Sequence, residues 1–343
     1  MPALPDMPPV QYTDVNGVRL AYYEAGPRRG VPIVLCHGFP ELAFSWRHQL
    51  KALGEAGRWV IAPDQRGYGL TGGPAEVEAY DMAHLSGDLV GLLDHLGAAQ
   101  AIFCGHDWGG IVVWQMPLLH PERTAGVIGL NTPFMPRSPV DPIAIMRARL
   151  GEDMYIVHFQ RPSEADAILD ADPRKSMQFF MRRPPSGATA SEGFATRRDP
   201  GDGSAFALVR MLQAYDPALD TRGEVLSEAE MEVFVEAFAR TGFTGGINWY
   251  RNLTRNWAAS EGLPTQVRVP SLMVTAELDP VLPPSSSAGM DAYVADLETA
   301  MVPDCGHWTQ QERPEAVNRI LLDWLDRRFP LGAPLGVSAG GSA

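Results

Sequence analysis

Gly105-His106-Asp107-Trp108-Gly109-Gly110 sets a carboxylate between small residues two places to either side. It follows an apolar run, Ala101 to Cys104, and precedes a segment, Gly110 to Leu119, with helical character. Strand, sharp turn and helix around a central side chain make a nucleophile elbow, whose commoner form G-x-S-x-G carries Ser. Asp at that position changes the chemistry. Attack on an acyl carbon would give a labile anhydride. Attack on a saturated carbon gives an alkyl ester of the protein, which water can cleave at the carboxyl carbon. The substrate must then carry a leaving group on saturated carbon, either a halide or the oxygen of a strained epoxide. A halide needs N–H donors, such as Trp indoles; an epoxide oxygen needs a proton, which a Tyr hydroxyl can give.

Two later segments supply partners for Asp107. Ala276-Glu277-Leu278-Asp279 follows one apolar run, and Cys305-Gly306-His307-Trp308 follows the next. Nucleophile, acid and His in that order form a triad with Asp107 as nucleophile, His307 as base and Asp279 orienting His307. Each has a plainer explanation taken alone. Asp107 could cap a helix, Asp279 beside Pro280 could form a turn, and a single His is usually structural. Their shared place after strands and their order favour catalysis. Glu277 is the rival for the acid. His37-Gly38-Phe39-Pro40 follows the first central apolar run, where a backbone N–H can serve an oxyanion hole. The candidates are the N–H groups of Phe39 and Trp108, since Pro40 has none. His37 and His106 read as structural.

These residues need a scaffold that gathers strand ends. Val10–Val15 and Val18–Tyr23 around Asn16-Gly17 predict a hairpin. Val31–Cys36, Trp59–Ala62, Ala101–Cys104 and Val127–Leu130 read as buried strands. Helical patterns over Phe44–Glu55 and Tyr80–Leu96 alternate with them. That alternation predicts a mostly parallel sheet with helices on both faces, and the motif loops lie at the carboxyl ends of its strands. From 134 to 262 the alternation stops. Patterns over Glu164–Asp170, Arg174–Met181, Phe206–Tyr215, Glu228–Thr241 and Asn248–Ala258 are helical, and Pro184–Ser204 reads as a loop. The sheet resumes at Ser271–Ala276 and Leu297–Val302, and a helix closes at Pro314–Arg327. The expected organisation is a core of residues 1–133 and 263–329, a helical cap at 134–262, and a disordered tail at 330–343.

Composition narrows the partners. The chain has 343 residues, 45% of them hydrophobic and 20% charged, and a net charge of -13. This is a globular profile that disfavours nucleic acid and anionic membranes, both of which need a basic face. No apolar run is long enough to span a bilayer, and the Pro-rich start lacks the pattern of a signal peptide. Cys36, Cys104 and Cys305 show no paired spacing, so neither a disulfide framework nor a zinc site is expected. The expected location is the cytoplasm. No phosphate loop, dinucleotide fingerprint or metal-ligand cluster is present, and no cofactor is implied.

Five motifs together resemble the soluble type of epoxide hydrolase with an α/β-hydrolase fold. They are His37-Gly38-Phe39-Pro40-Glu41, Asp64-x-Arg66-Gly67-Tyr68-Gly69, Gly105 to Gly110, Asn248-Trp249-Tyr250-Arg251 and Gly306-His307-Trp308. The resemblance spans residues 10 to 328. It implies two cap tyrosines that protonate the epoxide oxygen. Tyr250 matches one motif, and Tyr155, four residues before Phe159-Gln160, matches the other. Packing alone would explain either Tyr, and His158 is a rival donor. The implied reaction is hydrolysis of a small apolar epoxide by water to a vicinal diol, by a monomer or homodimer without cofactor or metal. Gln178–Pro200 departs from the family pattern and leaves substrate size and shape open. A haloalkane or haloacid dehalogenase on the same fold is the alternative, with a non-catalytic receptor or scaffold more remote.

Overall fold

The computed structural model describes residue 4 and residues 6–184 and 206–332. Its centre is one eight-stranded sheet. The strands are β1 (Gln11–Val15), β2 (Val18–Ala25), β3 (Ile33–Cys36), β4 (Val60–Pro63), β5 (Ala101–His106), β6 (Thr124–Leu130), β7 (Ser271–Ala276) and β8 (Leu297–Val302). Their spatial order is β1-β2-β4-β3-β5-β6-β7-β8. β2 runs antiparallel to β1 and β4, and all later pairings are parallel. The predicted hairpin forms, with Val15 opposite Val18 and Asn16 and Gly17 both at positive φ.

The continuous apolar strands have a simple cause: both faces are covered. Along β3, Val34 and Cys36 join one core cluster, and Ile33 and Leu35 join the other. Helix α1 (Arg47–Glu55) covers the second face together with the last long helix of the chain, through Leu50, Leu53, Leu321 and Trp324. Helices α2 (Met82–Leu96) and α3 (Trp108–Leu119) cover the first, through Leu85, Leu89, Val112 and Val113. Asp81 caps α2 by accepting from the His84 N–H, and Gly97 ends it in the left-handed conformation.

Between β6 and β7 the chain is helical: α4 (Pro142–Leu150), α5 (Tyr155–His158), α6 (Glu164–Asp170), α7 (Pro173–Phe180), α8 (Leu208–Ala214), α9 (Glu228–Thr241), α10 (Thr244–Arg251) and α11 (Leu253–Ala259). The pattern over 248–258 is two helices broken at Asn252, whose side chain donates to the carbonyls of Asn248 and Val77. α4 and α5 escaped the sequence reading because neither carries a clear amphipathic repeat. After β8 come α12 (Thr309–Glu312) and α13 (Pro314–Arg328). The expected loop at 184–204, apart from Pro184, lies outside the described residues, as does the expected tail from 333 on.

The Asp64–Gly69 motif is a brace. Asp64 accepts from the Ala43 and Leu70 N–H groups. Arg66 grips Asp88 of α2 with two bonds, at 2.8 and 2.6 Å, and donates to the Asn16 carbonyl. Both partners are buried. Removing one charge strands the other in a low-dielectric interior. Asp88→Ala should therefore cost about 3–5 kcal/mol, visible as a lower unfolding midpoint in denaturant; an unmoved midpoint would show that the pair contributes nothing.

Candidate active site

Asp107 sits between β5 and α3 at φ 52°, ψ -122°, a backbone region costly for a residue with a side chain. Close packing holds it there. A Cβ on Gly109 would lie 2.0 Å from the Cys36 carbonyl oxygen, and one on Gly105 would lie 2.2 Å from the Gly109 carbonyl oxygen. Only hydrogen at these positions lets the turn press against β3. Thr132 donates to the Asp107 carbonyl at 2.7 Å. On the other side a Cβ on Gly38 would meet the Asp107 side chain at 2.4 Å. The Phe39 N–H donates to Asp107 Oδ1 at 2.7 Å, which leaves Oδ2 as the oxygen facing His307. Trp108, the other oxyanion-hole candidate, is the first residue of α3.

The structure brings Asp107, Asp279 and His307 together. His307 Nδ1 is 2.9 Å from Asp279 Oδ2, and its Nε2 is 3.7 Å from Asp107 Oδ2. The second distance is too long for a hydrogen bond but short enough for ionic attraction. Asp279 is fully buried. Its Oδ1 accepts from the Val281 and Leu282 N–H groups, and Asn131 Nδ2 donates to Oδ2 at 2.6 Å. Burial pushes the Asp279 carboxyl up, but His307 and these donors outweigh it and hold it at about 2. Burial depresses His307, yet the two carboxylates win and raise it well above the ordinary imidazole value. Two pH limits follow. The stability from ionised Asp279 is present above the ordinary carboxylate pKa and is lost as pH falls towards about 2. The stability from charged His307 is complete below the ordinary imidazole pKa and is lost as pH rises through the raised value. Glu277 instead accepts from the Asp304 N–H, away from His307.

Sequence reasoning missed Asn131 and Glu41 as parts of the site. Asn131 follows β6 at φ 62° and bridges Asp279 to Thr309, whose hydroxyl donates to Asn131 Oδ1. Its position after a strand was the available signal. Glu41 is fully buried. It accepts from the Gly38 N–H and from Gln310 and Gln311, and lies 2.7 Å from His106 Nδ1. Burial would raise its carboxyl; the charge and hydrogen bond of His106 reverse this and hold it at about 2. The other nitrogen of His106 meets the His307 carbonyl at 2.7 Å. The His106 ring thus bridges the Glu41 carboxyl and the His307 backbone. His37 differs: its Nε2 accepts from the Gln65 N–H and its Nδ1 donates to the Gly38 carbonyl. That fixes the neutral tautomer, and burial lowers its pKa.

Tyr155 and Tyr250 line one cavity with Asp107 and Trp108, of about 640 Å³. Tyr250 packs edge-on to Trp108, Phe39 and Phe159, and Tyr155 packs against Tyr250 with ring centroids 5.7 Å apart. Burial, and then the Asp107 charge, raise both phenols, so their hydroxyls stay protonated at neutral pH. α10 is seated against the core. Trp249 Nε1 donates to the Arg66 carbonyl, and a Cβ on Gly245 would meet the Gly67 carbonyl oxygen at 2.5 Å. Gln160 ties the two tyrosine segments by donating to the carbonyls of Ile156 and Tyr250. His158, the rival donor, is not among the cavity-lining residues and has a lowered pKa from burial.

A parallel-sheet core with an Asp-centred elbow and an Asp–His pair on adjoining strand ends defines an α/β-hydrolase, and residues 31–314 match the alpha/beta hydrolase fold family. Epoxide hydrolase A of Mycobacterium tuberculosis is 43% identical over 327 residues, covering 93% of this chain and 97% of that protein. Porcine bifunctional epoxide hydrolase 2 is 41% identical over 92% of this chain, which spans 55% of that longer protein. The crystal structure of epoxide hydrolase A from Mycobacterium thermoresistibile superposes with a TM-score of 0.80 at 41% identity, covering 93% of this chain and 98% of that one. Potato epoxide hydrolase I gives 0.78 at 31% identity, covering 93% and 99%. The chain belongs to the α/β-hydrolase family and, within it, to the soluble epoxide hydrolases.

Because Asp107 helps to hold the proton on His307, Asp107→Asn should lower the His307 pKa towards the ordinary value. An NMR titration of the His307 ring checks this, and an unchanged midpoint would leave Asp279 as the sole cause.

Proposed function

We propose that this enzyme hydrolyses epoxides to vicinal diols through a covalent ester on Asp107. The observation that carries the reading is the placing of Asp107 and two protonated tyrosines around one mainly apolar cavity, with His307 on the far side of the carboxylate. Asp107 Oδ2 attacks an epoxide carbon and the ring C–O bond breaks. The leaving oxygen takes a proton from Tyr155 or Tyr250. Oδ1 becomes the ester carbonyl oxygen, held by the Phe39 N–H, with the Trp108 N–H at the start of α3 as the second donor of the hole. His307, charged in the resting enzyme, gives up its proton to restore the phenol left ionised by ring opening, and the neutral imidazole then takes a proton from the water that attacks the Asp107 carboxyl carbon. The oxyanion is stabilised in the hole; on collapse the departing alkoxide takes a proton from His307 and leaves as the diol, and His307 takes up the remaining carboxyl proton, which restores the carboxylate.

The charge on Asp107 orders these steps. While ionised, it raises both phenols and keeps His307 protonated. Alkylation removes that charge. The tyrosines become better acids as the ring opens, and His307 becomes free to act as a base once the ester has formed. The Trp108 ring serves as cavity wall. Tyrosine hydroxyls suit an alkoxide that needs a proton rather than a halide, so dehalogenation lacks the support that epoxide opening has.

The 134–262 segment acts as a cap that supplies the proton donors, on a core of residues 1–133 and 263–329. Among the described residues no helix is long and apolar enough to cross a membrane. The three buried, unpaired cysteines agree with a reducing compartment, and we place the enzyme in the cytoplasm. We propose that the enzyme is a monomer or homodimer.

A single turnover in heavy-oxygen water should put label into the Asp107 carboxylate, read by peptide mass spectrometry. Label found only in the diol would exclude the ester. Tyr155→Phe and Tyr250→Phe should each lower the rate of ring opening, and the double variant should lose roughly 10²–10⁴-fold with unchanged circular dichroism. A double variant that retained full activity would remove the tyrosines from the mechanism.

A further inference from the structure

Gln115 stands alone on its helix. α3 reads Trp-Gly-Gly-Ile-Val-Val-Trp-Gln-Met-Pro-Leu-Leu, and Gln115 is its one residue with an amide or charged side chain. The helix is buried nearly all round, as its composition requires. Trp108, Ile111, Gln115 and Leu119 are spaced three and four apart, so they form one stripe, and all four line the cavity. Gln115 is half-buried there. Seven residues at 1.5 Å each put it about 10 Å beyond Trp108 along the cavity wall.

The other polar side chains of the wall are already engaged. Asp81 caps α2, and Thr132 holds the Asp107 carbonyl. Arg137 stacks on Trp257 and donates to its carbonyl, and Ser138 Oγ accepts from the Val140 N–H. Asn256 accepts from the Met82 N–H, and Ser260 donates to the Trp257 carbonyl. Gln115 differs: its amide makes no hydrogen bond to any described residue. An amide in an apolar wall loses free energy unless something in the cavity bonds to it. Leu or Met would fill the place at no such cost.

We propose that Gln115 is a specificity-determining residue. It anchors epoxides that carry a hydroxyl or carbonyl group remote from the reacting carbon, along the α3 wall, the amide donating to a carbonyl or accepting from a hydroxyl. The inference rests on the epoxide-hydrolase reading and narrows its substrate class from plain hydrocarbons to functionalised ones. Gln115 acts on binding and orientation and takes no part in proton transfer.

A series of straight-chain terminal epoxides tests it, each with one hydroxyl moved stepwise along the chain, against the unsubstituted hydrocarbon of equal length. The wild-type enzyme should show a kcat/KM maximum at one hydroxyl position, about tenfold above its neighbours, the worth of one hydrogen bond. Gln115→Met, near in volume, should abolish that maximum through KM and leave the hydrocarbon within about twofold. Hydrocarbon turnover in the variant shows that it is folded, and the wild-type positional profile stands without any variant. If the hydrocarbon is hydrolysed and no hydroxyl position is preferred, Gln115 is no anchor. An anchoring role is equally overturned if Gln115→Met slows hydrocarbon and hydroxylated substrates alike. No turnover of any member would overturn the epoxide-hydrolase reading and this inference with it.

Discussion

The site depends on one steric constraint: the elbow backbone lies against β3 at a distance that only glycine permits. Because Gly109 presses on the Cys36 carbonyl and Gly105 on the Gly109 carbonyl, Asp107 is forced into positive φ and its carboxylate stands clear of the turn. The same closeness brings Gly38 against the Asp107 side chain and aims the Phe39 N–H at Oδ1. The Asp107 carboxylate and the Phe39 N–H, the proposed nucleophile and oxyanion donor, are therefore set by the close packing of the elbow on the end of β3. Such preorganisation spares the reaction the cost of turning dipoles as charge develops.

Around that contact lies a layer of buried ionised groups whose partners are all within the fold. Asp279 is satisfied by His307, Asn131 and two backbone donors. Glu41 is satisfied by His106, Gly38 and two glutamines. Both carboxylates titrate near the acid end of the scale for this reason. Asp107 is the exception, with an oxygen left facing His307 and the cavity. The proposed nucleophile is thus the carboxylate whose hydrogen-bond network is left incomplete.

Much of this was legible in the sequence because strands and their end loops obey short-range rules. The buried runs, the elbow, the order Asp107, Asp279, His307 and the Gly38-Phe39 loop each depend on a few consecutive residues. β7 and β8 match the reading residue for residue. The helical region was harder. α4 and α5 lack a periodic apolar face, since their neighbours include the open cavity, and Tyr155 was found through resemblance to a family and not through pattern. Asn131 and Glu41 were missed as site components, although Asn131 follows a strand and Glu41 takes the nearby Gly38 N–H, because their other partners are far off in sequence: Asn131 is 148 positions from Asp279, and Glu41 is 65 from His106. No local signal encodes such a pairing.

The two tyrosine segments are tied by Gln160 but are otherwise seated differently. Tyr250 lies on α10, whose Gly245 is wedged on Gly67 and whose Trp249 is bonded to the Arg66 carbonyl. Tyr155 lies on four-residue α5, in contact with α4 and α8, and its N–H is bonded to the carbonyl of Phe206. Tyr250 is seated mainly on the core and Tyr155 on the helices that shape the pocket. Substitutions, insertions or deletions near α4, α5 and α8 can therefore remodel what enters while Tyr250 keeps its place. That asymmetry offers a route by which a lineage could change its diet of substrates in small steps without passing through an inactive ancestor.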